Sequence, residues 1–158
     1  MKKLLLIAPA FFGYYKDMIQ EAESLGYSVD FVYDAPSNSN VSKALGRINK
    51  RLISRTANKY YEEKVLPLVK KESYDSILLV AGMTCAFTSK MFSQMKYLQK
   101  RAGFIMYQWD SEKNLPYTTE IHPYFERIYS FDRNDCERDE RYRFCPLFYT
   151  ENYENVVS

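Results

Sequence analysis

The stretch Gly103-Phe104-Ile105-Met106-Tyr107-Gln108-Trp109-Asp110-Ser111 constrains this chain most: it starts with no polar face and turns abruptly polar at Trp-Asp-Ser. Successive residues of a strand point to opposite faces, so such a run is satisfied in a parallel sheet covered on both sides. Leu4 to Ala8, followed by Pro9 to Gly13, and Ile77 to Ala81, followed by Gly82-Met83-Thr84, share the pattern. These three strands are expected at the centre of the sheet, with any functional site beyond their carboxyl ends.

The flanking periodicities supply the covering. Residues 14–25 place Tyr15, Met18, Ile19, Ala22 and Leu25 on one helical face, with Gly26 as the C-cap. Tyr27 to Tyr33 alternates and belongs nearer an edge. Residues 41–55 and 57–72 read as two helices, the second kinked or split by Pro67. Thr88 caps a helix over residues 89–101. A short helix around residues 117–125, a strand from Arg127 to Phe131, an acid-rich helix start at Asp132 and a sixth strand over Phe144 to Tyr149 complete the order. This alternation predicts an α/β fold, a Rossmann-like open parallel sheet with helices on both faces. The 158 residues suit one domain over residues 1–150, with 151–158 as a tail or interdomain link.

Composition narrows the function. A net charge of +2 gives no reason to expect nucleic acid. Three cysteines without C-x-x-C spacing and a single histidine make no zinc site, so neither a metal nor a tightly bound cofactor is expected. Lys2 and Lys3 before an apolar run mimic a secretion signal, but the run is shorter than the roughly 7–15 residues of a signal core. No segment reaches the ~20 apolar residues that span a bilayer, which makes the expected location cytoplasmic. The five glycines form neither G-x-G-x-x-G nor G-x-x-x-x-G-K-[ST], which argues against a dinucleotide enzyme or a P-loop nucleotidase. The loop Pro9 to Gly13 also lacks the hydroxyls of a flavodoxin phosphate loop and the acids of a receiver domain.

The strand ends gather Phe11, Phe12 and Gly13; Asp34; Gly82, Met83 and Thr84; Trp109, Asp110 and Ser111; and Asp132, Arg133 and Asp135. Aromatic rings, carboxylates and small residues suit a polyol substrate. Structural roles compete: Asp132 and Asp135 suit a helix start, and Asp110 a turn. His122 is the one side chain whose ordinary pKa suits proton transfer near neutrality, and it also reads as a surface or second-shell histidine. Cys85 reads as a buried structural thiol. Lys43, Arg47, Arg51 and Arg55 recur every four residues beside Lys50, forming a basic stripe suited to an anionic membrane or partner, or to a solvated outer face.

Tyr107 to Ser111, together with His122 to Cys136 and Pro146-Leu147-Phe148-Tyr149, resembles a family of bacterial lipopolysaccharide and capsule biosynthesis proteins similar to GT-B glycosyltransferases. The resemblance implies the amino-terminal, acceptor-side domain of such an enzyme. A sugar or lipid-linked glycan acceptor would bind at the strand ends, and Asp110 or His122 would be the general base. The nucleotide-sugar donor would come through a missing carboxyl-terminal domain. The 41–55 helix would make peripheral contact with the inner face of the cell membrane. The alternative is a non-catalytic docking domain that uses that helix to bind anionic membrane or a partner enzyme.

Overall fold

The computed structural model describes residues 1–36 and 50–148, with backbone alone at residues 50–53. Strands β1 (Lys2–Ala8), β2 (Tyr27–Tyr33), β3 (Ser76–Ala81), β4 (Gly103–Gln108), β5 (Arg127–Ser130) and β6 (Tyr142–Phe144) form one sheet in the order β2-β1-β3-β4-β5-β6. Every adjacent pair is parallel. The chain steps outward from β1 to β2 and then returns to the other side of β1, so the carboxyl ends of β1 and β3 flank the topological switch point. The three apolar strands are contiguous, and the alternating strand β2 lies at the edge.

Helices α1 (Tyr14–Ser24), α2 (Lys50–Tyr60), α3 (Leu66–Lys71), α4 (Ser89–Leu98), α5 (Thr118–Ile121) and α6 (Arg133–Arg138) cover the two faces unequally. On one face Leu5, Ile7, Ile77, Leu79, Phe104 and Met106, all fully buried, pack against Val65, Val69, Phe92, Met95 and Ile121 from the helices. On the other, Leu6, Ala8, Val80 and Tyr107 meet Tyr15, Met18 and Ile19 of α1.

Several expectations need correction. The break between residues 55 and 57 does not occur. Ala57, Tyr61, Val65 and Val69 are all buried, and this spacing of four makes one stripe through α2, a π turn at Tyr61–Val65 and α3. The wide π turn delivers the chain to Pro67 in the first turn of α3, where its missing N–H costs nothing. Residues 41–49 of the basic helix lie outside the described residues, as do residues 151–158. The sixth strand precedes its expected position, because Tyr142 fills the core while Pro146 has no N–H for a ladder. Leu25 is 69% exposed, since α1 ends there and Gly26, at φ +85°, turns the chain toward β2. Ile105 of β4 is only half-buried, so that strand is not covered on both faces along its whole length.

Candidate functional site

At the carboxyl edge, Pro9 and Ala10 lead from β1 into a 3-10 turn at Phe11–Gly13. Phe12 adopts φ +47° and Gly13 φ +78°, two consecutive left-handed residues. For phenylalanine that conformation costs about 1–2 kcal/mol. Its result is that the rings of Phe11 and Phe12 are 55% and 76% exposed. Phe11 meets Phe12 edge-on at 4.4 Å between centroids, and Trp109 at 5.9 Å. Tyr14 packs edge-on against Trp109 at 6.4 Å and against Phe148 at 5.6 Å, while Trp109 and Phe148 stack at 6.4 Å. Three separate segments thus build one aromatic patch at the switch point. Gly82 allows it, because a Cβ there would stand 2.7 Å from the indole Nε1 of Trp109. Met83 and Leu147, 78% and 52% exposed, belong to the loops after β3 and β6 at the same edge.

Beneath the patch the polar residues bind the chain to itself. Buried Asp34 accepts a 2.7 Å hydrogen bond from the Thr84 hydroxyl, and its carbonyl accepts from the Ala86 N–H. The Tyr117 hydroxyl donates to the Gly82 carbonyl at 2.7 Å. Burial, with the nearby Asp34 charge, pushes the Cys85 thiol up to about 12, which keeps it protonated and unreactive.

The other predicted site residues divide among separate structural tasks. Asp110 accepts from the Ser111 N–H and the Asn114 side-chain amide, both at 2.8 Å, and so shapes the loop after β4. Asp132 caps α6 by accepting from the Asn134 N–H. The Arg133 guanidinium lies 4.1 Å over the Phe144 ring. Asp135 is buried, accepting from the Glu112 N–H at 2.8 Å and from Arg138 at 2.7 Å.

His122 is buried as well, which corrects its reading as a surface residue. Its Nε2 lies 3.1 Å from the Tyr142 hydroxyl and 3.3 Å from the Gln108 carbonyl oxygen. Tyr142 gives its proton to Glu112 at 2.5 Å, so Nε2 is the donor toward both. Among the described residues the imidazole Nδ1 and the Gln108 Nε2 find no hydrogen-bond partner. Burial, and then the Arg141 guanidinium, hold the histidine below its ordinary pKa. Its ring is engaged with Gln108 and Tyr142 in the core, while Asp110 shapes the loop after β4. Sequence reasoning missed Gln108, Glu112 and Tyr142 as partners of His122. The one available signal was Gln108, a polar residue at the inward-facing end of an apolar strand.

Of the basic stripe, Arg55 is exposed on α2, Lys50 and Arg51 are described by backbone alone, and Lys43 and Arg47 lie outside the described residues. Among the described residues no group of three or more His, Cys, Asp or Glu is placed to hold a metal ion. No helix there is long and apolar enough to cross a membrane.

No family model matches the chain, and no curated protein matches it. Similar solved structures are bacterial and archaeal response regulators. A CheY-like receiver domain from Methanospirillum hungatei JF-1 is 12% identical over 99% of this chain and 92% of its own, at a TM-score of 0.47. A two-component response regulator from Clostridium difficile is 13% identical over 99% and 93%, at 0.46. One from Burkholderia pseudomallei, with a phosphorylated aspartic acid, calcium ion and citrate, is 12% identical over 99% and 82%, at 0.49. The resemblance to lipopolysaccharide and capsule enzymes does not hold: no family model or curated protein of that kind matches, and these solved structures are response regulators. With it fall the glycan acceptor and the docking of the 41–55 helix on a membrane or partner enzyme. The residues behind the resemblance have local explanations: Asp110 shapes a loop, Asp132 caps a helix, and His122 fills the core.

Proposed function

We propose that this chain is a recognition domain whose working surface is the aromatic patch at the carboxyl edge of β1, β3 and β4, and whose ligand is an apolar segment of a partner protein. One observation carries the reading: Phe12 holds an apolar ring 76% exposed to water on a left-handed backbone. Strain and exposure both oppose that arrangement, and binding is what would offset them. Burying Phe11, Phe12 and Met83 against a partner is worth about 1.5–3 kcal/mol each before association costs. Trp109 and Tyr14 behind them are the ring types that concentrate binding energy at protein interfaces.

Trp109 is the only tryptophan, so its emission reports on the patch alone. Peptides selected from a random display library against the folded chain should carry aromatic, aliphatic or proline side chains and shift that emission. Phe12→Asn should weaken them at least about tenfold, equivalent to 1.4 kcal/mol. The same substitution should change stability by under about 1 kcal/mol, because relief of the left-handed strain and loss of the Phe11 edge contact are of similar size. Selected peptides that leave the emission unchanged, or that bind Phe12→Asn as well as the wild type, overturn the reading.

A further inference from the structure

From Ser76 to Trp109 the chain contains no Asp or Glu, and the cations of that span, Lys90, Lys96, Lys100 and Arg101, all belong to α4 or the turn that follows it. Met91, Phe92 and Met95 bury the inner face of the helix. Gln99 fixes its end: the side-chain amide donates to the Val69 and Glu72 carbonyls, both at 2.7 Å, and accepts from the Tyr74 N–H at 3.0 Å. The outer face is thereby held in one orientation. It presents Lys90, Gln94, Tyr97 and Arg101 in one exposed row, and Tyr97 is 70% exposed. Lys96 is already engaged, paired with Glu126 and lying over the Phe104 ring at 4.5 Å. Of the acids in neighbouring elements, Glu63 pairs with Lys59, and Glu72 with Lys3 and Lys71. Glu120 of α5 meets α4 through its carbonyl, which accepts from the Ser89 hydroxyl. Among the described residues Lys90, Lys100 and Arg101 form no ion pair. Lys100 and Arg101 suit the negative end of the helix dipole. Lys90 has no such reason for its place: it lies in the first turn, at the positive end, and that turn contains no acid to offset it.

From this face we infer that α4 docks an acidic, extended segment of a partner protein, with carboxylates against Lys90 at one end and Lys100 and Arg101 at the other, and an apolar side chain between them on Tyr97. Charge complementarity selects the occupant, because an acid-free basic face attracts acidic chains and repels basic ones. Along a helix Lys90 and Arg101 stand about 16 Å apart. That is the length of about five residues of extended chain. Tyr97, with the Lys100 ammonium 5.1 Å from its ring centroid, is the aromatic anchor between the charges. Three cations are fewer than the roughly 6–10 phosphate contacts of a duplex-binding surface. A single exposed ring is also less apolar surface than a helix needs to enter a membrane interface. So small a contact makes a transient complex. This face belongs to other elements than the Phe11–Phe12 edge, and neither reading rests on the other.

The test titrates the isotopically labelled full chain with the peptide Glu-Glu-Ser-Phe-Ser-Glu-Glu and follows the backbone amides by NMR. Saturating shifts are expected across residues 89–101. Affinity should fall at least about tenfold as ionic strength rises from about 0.01 M to about 1 M, which shortens the screening length from roughly 30 Å to roughly 3 Å. Replacing the peptide's Phe by Ala should weaken it at least about threefold through the lost Tyr97 contact. The Lys90→Glu, Arg101→Glu double variant, whose altered side chains are exposed and whose fold is checked by its unfolding transition, should bind the peptide at least about tenfold more weakly. It should instead bind Lys-Lys-Ser-Phe-Ser-Lys-Lys, which the wild type rejects. Shifts absent from residues 89–101, indifference to salt, or a charge-swapped pair that fails to bind overturns the inference. So does tighter binding of this face to a DNA duplex or to vesicles containing phosphatidylserine. The amides of Phe11 to Gly13 report on the aromatic edge separately, so either surface can fail alone.

Discussion

Gly82 and Trp109 show how one missing methyl group organises the edge of this sheet. A glycine after β3 is expected to let a ligand approach the backbone; here the chain's own indole takes that space, 2.7 Å from where a Cβ would be. Gly82→Ala must therefore push the indole outward. Overpacking of this kind costs about 1–3 kcal/mol. The expected outcome is a lower denaturant midpoint together with a shift in the Trp109 emission of the folded state. An unchanged midpoint with an unchanged spectrum would show that the indole does not rest on Gly82. Phe12 is the opposite case, a bulky residue where glycine would be easier. No sequence pattern marks its left-handed backbone, because Phe-Phe-Gly is compatible with ordinary turns.

At the scale of elements, the loop after β4, the α5 segment, β6 and α6 are joined by one buried polar network. His122 donates to Tyr142, Tyr142 to Glu112, and the Glu112 N–H to Asp135, which Arg138 also pairs. A neutral histidine is required, since protonating Nδ1 would bury a second N–H without an acceptor. Arg141 opposes the added charge, while Glu112 and Asp139 favour it, and burial is the largest influence. The unfolded chain titrates near pH 6.5, above the folded His122, so it takes up the proton first. Stability present above that pH is lost as the pH falls below it, with a slope of at most about 1.4 kcal/mol per pH unit. Urea midpoints at pH 7, 6 and 5 should decline in the wild type and decline less in His122→Phe. Equal declines would remove His122 as the cause. Of this network the sequence displayed only the lone histidine, because its partners are set by how three strands and two helices pack.

For the whole molecule, stability rests mainly on the larger core between the sheet and α2 to α6. Phe104 is fully buried there, in contact with Phe125 and beneath Lys96. Phe104→Ala should cost about 3–5 kcal/mol, a large part of the 5–15 kcal/mol typical of a domain. Calorimetry should show a single transition moved to markedly lower temperature, and a shift of only a degree or two would place the core elsewhere. The amino-acid order by itself determined the first five strands, the parallel α/β class, the edge position of β2 and the cap at Asp132. Each of these follows from side-chain period or local hydrogen bonding within a few residues. Only the tertiary structure decided that α2 and α3 form one stripe across Pro67, that His122 is buried, and that Trp109 lies on Gly82. Those outcomes depend on contacts between residues tens of positions apart, and on which volume each packed layer leaves to the next.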